Sequence, residues 1–255
     1  MTKPKVALLI RGHVRDSLSG SNLNNLLMQL LTVIDFDLYL QTWDVAHTNN
    51  TWRKKTKFSI NKIKESDIYS YFDESLHCRI KSLLILNEDS TEMIGNTHGC
   101  VGKSKCPIIG WKYMWSGMYE NISQIPEDHN YKFAINTRFD IVNDRLDRIC
   151  ERPIRKKQLV PSTRLDFVNQ MVGIRKNGEL KYIYSMYDII GCDNFMAGSI
   201  ENIRWLIENF HFKLDEILPM WVESNFKIKH NEACVRWFSQ KNNLFSFKGI
   251  QTISD

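Results

Sequence analysis

With 255 residues, 43% of them hydrophobic and 25% charged, the chain has an ordinary soluble globular composition and is long enough to bury a substantial core. No run approaches the ~20 consecutive apolar residues of a membrane span. The six cysteines show no repeated pair spacing, which argues against a disulfide framework, and the net charge of +5 is mild.

Lys5 to Ile10 reads as a first buried strand. A basic start followed by apolar residues superficially suggests a signal peptide, but the apolar run ends after about five residues in Arg11-Gly-His-Val-Arg15, too short for a signal core. A chain that is not secreted, with reduced cysteines, is therefore expected. In the loop that follows, Gly12 permits a tight turn, and Arg11, His13 and Arg15 offer donors to a phosphate or a base. Leucines 23, 26, 27, 30 and 31 fall at helical spacing between Asn22 and Val33. A second strand follows at 36–41 and runs into Thr42-Trp-Asp44, so strand, helix and strand predict a parallel sheet with right-handed crossovers. Asp35-Phe-Asp37 has the spacing of a DxD metal site, but at the start of its strand it faces the wrong end of the sheet.

Residues 45–62 read as an irregular basic excursion, 63–72 as a short helix and 79–86 as a third strand. The polar stretch 87–107 has the length of a functional loop or lid. Within it Gly99-Cys-Val-Gly-Lys-Ser104 approximates a phosphate-binding P-loop, yet Thr97 stands where the first glycine is needed and Pro107 interrupts the following helix. His98, Cys100 and Cys106 lack a fourth zinc ligand at a usual spacing. Residues 109–122 carry a broad aromatic and apolar stripe that predicts a helix packed on the sheet.

Tyr131 to Ile135 reads as a strand, and Asn136, Arg138 and Asp140 follow it at alternate positions. On extended backbone such side chains point one way, which would aim an amide, a guanidinium and a carboxylate off the carboxyl end of a strand, where open α/β proteins bind ligands. A carboxylate there can hold a divalent cation and an arginine can grip a phosphate, although an Arg-Asp pair closing a strand accounts for the spacing equally well. Basic residues cluster at Arg53 to Lys57 and between Arg148 and Lys157. Such a face suits an anionic nucleotide, an anionic acceptor or an acidic membrane surface, and each cluster alone also reads as a solvated face. Residues 158–187 read as irregular, with short strands near Leu159-Val160 and 181–184. Ser199 reads as the cap of a helix over 200–210, and Asn231 as the cap of a last helix over 232–241 that puts Glu232 in its first turn. With no repeat or linker, residues 1–255 are expected to form one domain.

Several landmarks then align: Arg11-Gly-His-Val-Arg15, Gln41-Thr-Trp-Asp44, an aromatic helix from Trp111 to Tyr119, Thr137-Arg-Phe-Asp140, and Asp193-Asn-Phe-Met-Ala-Gly-Ser199, with Asn231-Glu232 near the end. This pattern resembles the glycosyltransferases of surface-polysaccharide and lipopolysaccharide synthesis, including the WavE-like group, found in bacteria and some large viruses. The resemblance implies a GT-A-like nucleotide-binding α/β sandwich, with a mostly parallel sheet flanked by helices, that uses a nucleotide-diphosphate sugar. It implies that Arg11, Gly12, His13 and Arg15 line the nucleotide pocket and that Arg138 lies beside the diphosphate. Asp140 would take the place of a metal-binding aspartate for Mn²⁺ or Mg²⁺, and Asp193 would face the sugar or the acceptor. Arg138 stands where a DxD protein has its first aspartate, so arginine would replace part of the metal's charge.

Glycosyl transfer needs a stabilised leaving diphosphate, a base for the acceptor hydroxyl and exclusion of water. Arg15, Arg138 and Asp140 are candidates for the first task, Asp193 or Glu232 for the second, and 45–62 or 87–107 for the lid. The expected partners are a nucleotide sugar and a glycan or glycolipid acceptor, with peripheral contact to a membrane from the cytoplasm (host cytoplasm for a viral protein) and no nucleic acid. The competing reading is a non-catalytic nucleotide or nucleic-acid binding module with a basic face, which predicts steeply salt-dependent binding to DNA or RNA. A P-loop kinase or ATPase is disfavoured by Thr97 and Pro107.

Overall fold

The computed structural model describes residues 2–47, 62–142, 162–178, 180–185, 195–224, 226 and 231–244. Its centre is a six-stranded sheet of order β3-β2-β1-β4-β6-β5. The strands are β1 (Lys5–Arg11), β2 (Asp35–Trp43), β3 (Ile80–Leu86), β4 (Phe133–Arg138), β5 (Tyr184–Ser185) and β6 (Phe195–Gly198). β1 pairs in parallel with both β2 and β4, β2 in parallel with β3, and β6 lies antiparallel to β4 and β5. The fold is thus α/β with a mostly parallel mixed sheet flanked by helices, compatible with a GT-A-like sandwich.

Alternation along the strands divides the core in two. Val6, Leu8, Ile10, Phe36, Leu38, Leu40, Phe133 and Ile135 face one layer, which contains α1 (Asn22–Leu30), α2 (Glu65–Tyr71), α3 (Glu74–His77) and α5 (Ser162–Lys176). Ala7, Leu9, Tyr39, Ala134 and Met196 face the other, built from α4 (Ile108–Ile122), α6 (Ile200–Phe212), α7 (Leu214–Glu223) and α8 (Asn231–Lys241). Buried on both faces, the central parallel strands are near-continuous apolar runs. The aromatic stripe of α4 is core: Trp115 stacks on Phe210 at 4.4 Å and Trp111 meets the same ring edge-on at 5.8 Å.

Two expectations are corrected. Residues 162–176, read as irregular, form α5, whose buried apolar stripe is the narrow Phe167, Val168 and Met171, beside the buried Arg164, and which carries Gly173 in its length. Arg175 and Lys176 in its last turn complement the helix dipole. The β4 strand also begins at Phe133 rather than Tyr131; beyond Ile135 it keeps the expected extended backbone as far as Arg138, paired with β1 throughout and with β6 to Thr137. Leu159-Val160, residues 48–61 and the basic stretch 148–157 lie outside the described residues.

Candidate functional site

Parallel register sets the site's floor. Arg11 is level with Gln41 on one side and Arg138 on the other, so three polar residues of three adjacent strands stand at one height, at the ends of β1 and β4 and two residues before the end of β2. All three belong to the strand face that packs on α4: Leu9 and Arg11, Tyr39 and Gln41, and Ala134, Asn136 and Arg138 alternate with residues of the opposite layer. Arg11, Gln41 and Asn136 are almost wholly buried. Gln41 Nε2 and Asn136 Oδ1 have no hydrogen-bond partner, which is unusual for buried polar atoms and concentrates unmet polarity where the strands end.

The loop leaving β1 closes over this floor in a strained form. Gly12 has φ +92°, and its N–H donates to the Gln41 carbonyl at 3.0 Å and to Gln41 Oε1 at 3.2 Å. Arg15 is left-handed at φ +51°, a conformation disfavoured for a residue with a Cβ, and its N–H is anchored on the Ala46 carbonyl at 3.0 Å. That backbone turns the Arg15 guanidinium onto Oδ2 of Asp140. Asp140 is reached differently from the alternation expected, through a 3-10 turn over Phe139–Val142 with its own φ,ψ at −86°, 15°. The turn folds the carboxylate back over the strand end, where Arg138 binds it through Nε at 2.7 Å and Nη2 at 2.6 Å. Two guanidiniums therefore share one carboxylate, with side chains 10% to 19% exposed, desolvated yet reachable.

A second layer fixes the rim. Asp44, at the end of the Gln-Thr-Trp-Asp motif, accepts from the Glu88 N–H at 3.1 Å, Asn87 Nδ2 at 2.8 Å and Lys62 Nζ at 3.0 Å. Partial burial raises its carboxyl, but these donors outweigh that and hold it below the usual range. Its role is to fasten the end of β2 to the end of β3. His13 pairs with Glu88 at 2.9 Å and stacks on Trp43 at 5.9 Å. Burial pushes both His13 and His47 below the ordinary imidazole range.

The sequence-derived candidates divide accordingly. Arg11, Gly12, His13, Arg15, Arg138 and Asp140 come together at the carboxyl ends of β1 and β4. Asp193 lies outside the described residues. Glu232 is half-buried in the first turn of α8, on the α4 side of the sheet. A divalent cation at Asp140 does not fit this arrangement, because both carboxylate oxygens already accept from guanidiniums. Among the described residues no group of three or more His, Cys, Asp or Glu side chains is disposed to hold a metal, the His98, Cys100 and Cys106 set included.

Asp35 and Asp37 do lie at the far end of the sheet, the first bonded to Arg79 at 2.6 Å and the second to Lys5 at 3.0 Å. The P-loop look-alike is a closed turn: the Val101 and Ser104 N–H groups bond to Cys106 and Val101 carbonyls, so these amides do not cradle a phosphate. The 87–107 loop is fastened rather than hanging free, since Asp215 of α7 takes the Asn96 N–H at 2.7 Å and Lys112 Nζ at 2.8 Å. Sequence reasoning missed Glu88, although an acidic residue just past a parallel strand was a usable signal. It also missed Gln41 as the support of the Gly12 turn.

Comparison of the chain with protein-family models, curated proteins and solved structures finds no match. The site must be judged on its chemistry.

Proposed function

We propose that this protein transfers a glycosyl group from a nucleotide-diphosphate sugar to a hydroxyl of a glycan or glycolipid acceptor. The observation that carries this reading is the pair of guanidiniums, Arg15 and Arg138, converging on the single carboxylate of Asp140 beside the β1 loop. Among the described residues two guanidiniums meet on this one carboxylate, and a fork of planar donors matches a pyrophosphate. As the anomeric carbon–oxygen bond breaks, negative charge grows on the departing diphosphate, and fixed guanidiniums in a partly desolvated cleft stabilise it without reorganisation. Asp140 keeps the two like charges together until the donor arrives. The nucleotide would lie along the Arg11 to Arg15 loop, whose turn is set by Gly12 and Gln41. For the acceptor hydroxyl, Asp193 and Glu232 are the carboxylates nominated by the sequence.

The mild positive charge suits an anionic acceptor or peripheral contact with an acidic membrane from the cytoplasmic side. Among the described residues no helix is long and apolar enough to cross a membrane. The test is a thermal-shift screen of nucleotide-diphosphate sugars with and without Mn²⁺. A donor at ~100 times its Kd stabilises by about 2.7 kcal/mol. Arg138→Ala is expected to abolish the shift and to cost roughly 10²-fold or more in turnover. No shift with any donor, or an unchanged shift in Arg138→Ala, overturns the proposal.

A further inference from the structure

The pair formed by His13 and Glu88 has more construction around it than a structural contact needs. Their side chains are only 9% and 8% exposed, and the imidazole Nε2 lies 2.9 Å from Glu88 Oε2. Glu88 is held from both sides of its own backbone: its N–H donates to Asp44 at 3.1 Å, and its carbonyl accepts from the Tyr113 hydroxyl at 3.1 Å. Trp43 fills the space between, stacked on His13 and edge-on to Tyr113 at 5.1 Å. Removing a carboxylate and an imidazole from water costs several kcal/mol before any return from pairing, and apolar side chains would close this corner of the core at no such cost. His13 also sits between the two left-handed residues of its loop, Gly12 and Arg15, and Arg15 grips Asp140. The pair therefore borders the guanidinium cleft.

We propose that His13, positioned by Glu88, is the base that accepts the proton of the acceptor hydroxyl; this rests on the glycosyl-transfer reading above. An ionised carboxylate only accepts hydrogen bonds, so Glu88 places the imidazole proton on Nε2 and leaves Nδ1 as the basic nitrogen. In the step, the acceptor O–H bond breaks and its proton passes to Nδ1 while the oxygen bonds to the anomeric carbon. The bond from that carbon to the diphosphate oxygen breaks, and its electron pair stays on the diphosphate beside Arg15 and Arg138. The imidazolium is stabilised by Glu88 and later releases its proton to water. Glu88 acts through His13 and is a positioning residue.

The surroundings favour a neutral imidazole at pH 7. Burial lowers its proton affinity; Glu88, through its hydrogen bond and its charge, and the more weakly felt Asp140 oppose this; Arg15 adds to it, and His47 lies close enough to couple. A base must be neutral to work, so activity is expected to fall as pH drops through the His13 titration. An imidazolium that merely gripped phosphate would instead lose activity as pH rises.

The experiment measures nucleoside diphosphate release from UDP-, GDP- and dTDP-hexoses between pH 5 and 9, with water as acceptor, beside the thermal shift given by each donor. His13→Asn is expected to lose roughly 10²-fold or more in release and to lose the acid limb. Glu88→Gln removes the charge that raises the His13 proton affinity, so the limb moves to lower pH, and an NMR titration of the His13 ring in wild type and Glu88→Gln shows the same displacement. The inference is overturned if His13→Asn keeps the acid limb or if wild-type activity falls with rising pH. The wild-type profile decides even if the variants fail to fold. A wild-type protein that shows neither shift nor release fails the transferase reading itself, a distinct result.

Discussion

The sheet carries a buried carboxylate at each end, and the two are treated differently. Asp37, at the amino end of β2, accepts from Tyr131 Oη at 2.7 Å and from Lys5 Nζ at 3.0 Å, and Tyr131 in turn meets the Tyr39 hydroxyl at 3.0 Å. Burial, followed by the Tyr39 and Asp37 contacts, drives the Tyr131 phenol far above its ordinary range, so it remains a neutral donor. No residue of this cluster has positive φ. Asp140, at the carboxyl end, is approached by two guanidiniums, one on a left-handed backbone, above buried amides with unmet hydrogen bonds. A closed network of short, ordinary contacts marks a carboxylate that stabilises the fold. Converging guanidiniums, stored strain and unmet polarity mark one that waits for a ligand.

Exchanging the two carboxylates for alanine breaks the comparison most severely. Asp140→Ala is expected to lose roughly 10²-fold or more in turnover with the fold retained, because the two guanidiniums lose the carboxylate that holds them on one spot. Asp37→Ala is expected to leave turnover nearly unchanged and to cost about 1.5–3 kcal/mol, the value of a hydrogen bond to a charged group, in denaturant unfolding. Normal turnover in Asp140→Ala would show that the wrong end of the sheet had been chosen. Gly117→Ala sharpens the contrast. Its Cβ would meet Gln41 Oε1 at 2.4 Å, so the amide that supports the Gly12 turn must move. The expected outcome is a several-fold higher KM for the donor and a small change in melting temperature, because Gln41 is displaced at its flexible end while helix propensity gains about 1 kcal/mol.

The smallest effect is in stability against pH. His13 and His47 are shifted down from 6.5 in the folded chain, so below that pH the unfolded chain binds more protons and stability falls. Asp44 is lowered from 3.8, and its contribution, complete above that value, is lost as pH falls further toward its folded titration. Melting temperatures from pH 8 to 3 are expected to decline in two stages, and His13→Asn to lessen the first alone.

Much of the sheet is legible in the chain. Apolar runs at 5–10 and 36–41 and the leucine spacing between them predict β1, α1 and β2, because strands buried on both faces and an amphipathic helix leave periods that neighbours cannot disguise. The narrow stripe of α5 left no such period, whereas α7 carries one in Leu214, Ile217, Leu218 and Trp221 and is passed over because Pro219 stands inside it. Among site residues, Arg15, Arg138 and Asp140 were visible as motif residues next to strand ends, but their mutual pairing was not. Asp140 gains its place from a 3-10 turn and Arg15 from positive φ, and alternation along a strand predicts neither.

The sequence by itself determined the buried central strands and the periodic helix faces, and which loops carry charge, since apolar burial is written locally in hydrophobic period. Only the tertiary structure decided that Arg11, Gln41 and Arg138 stand at one height and that Glu88 faces His13 from 75 positions away. Those relations come from strand register and sheet order, which are fixed by pairing between distant segments and leave no mark on any one of them.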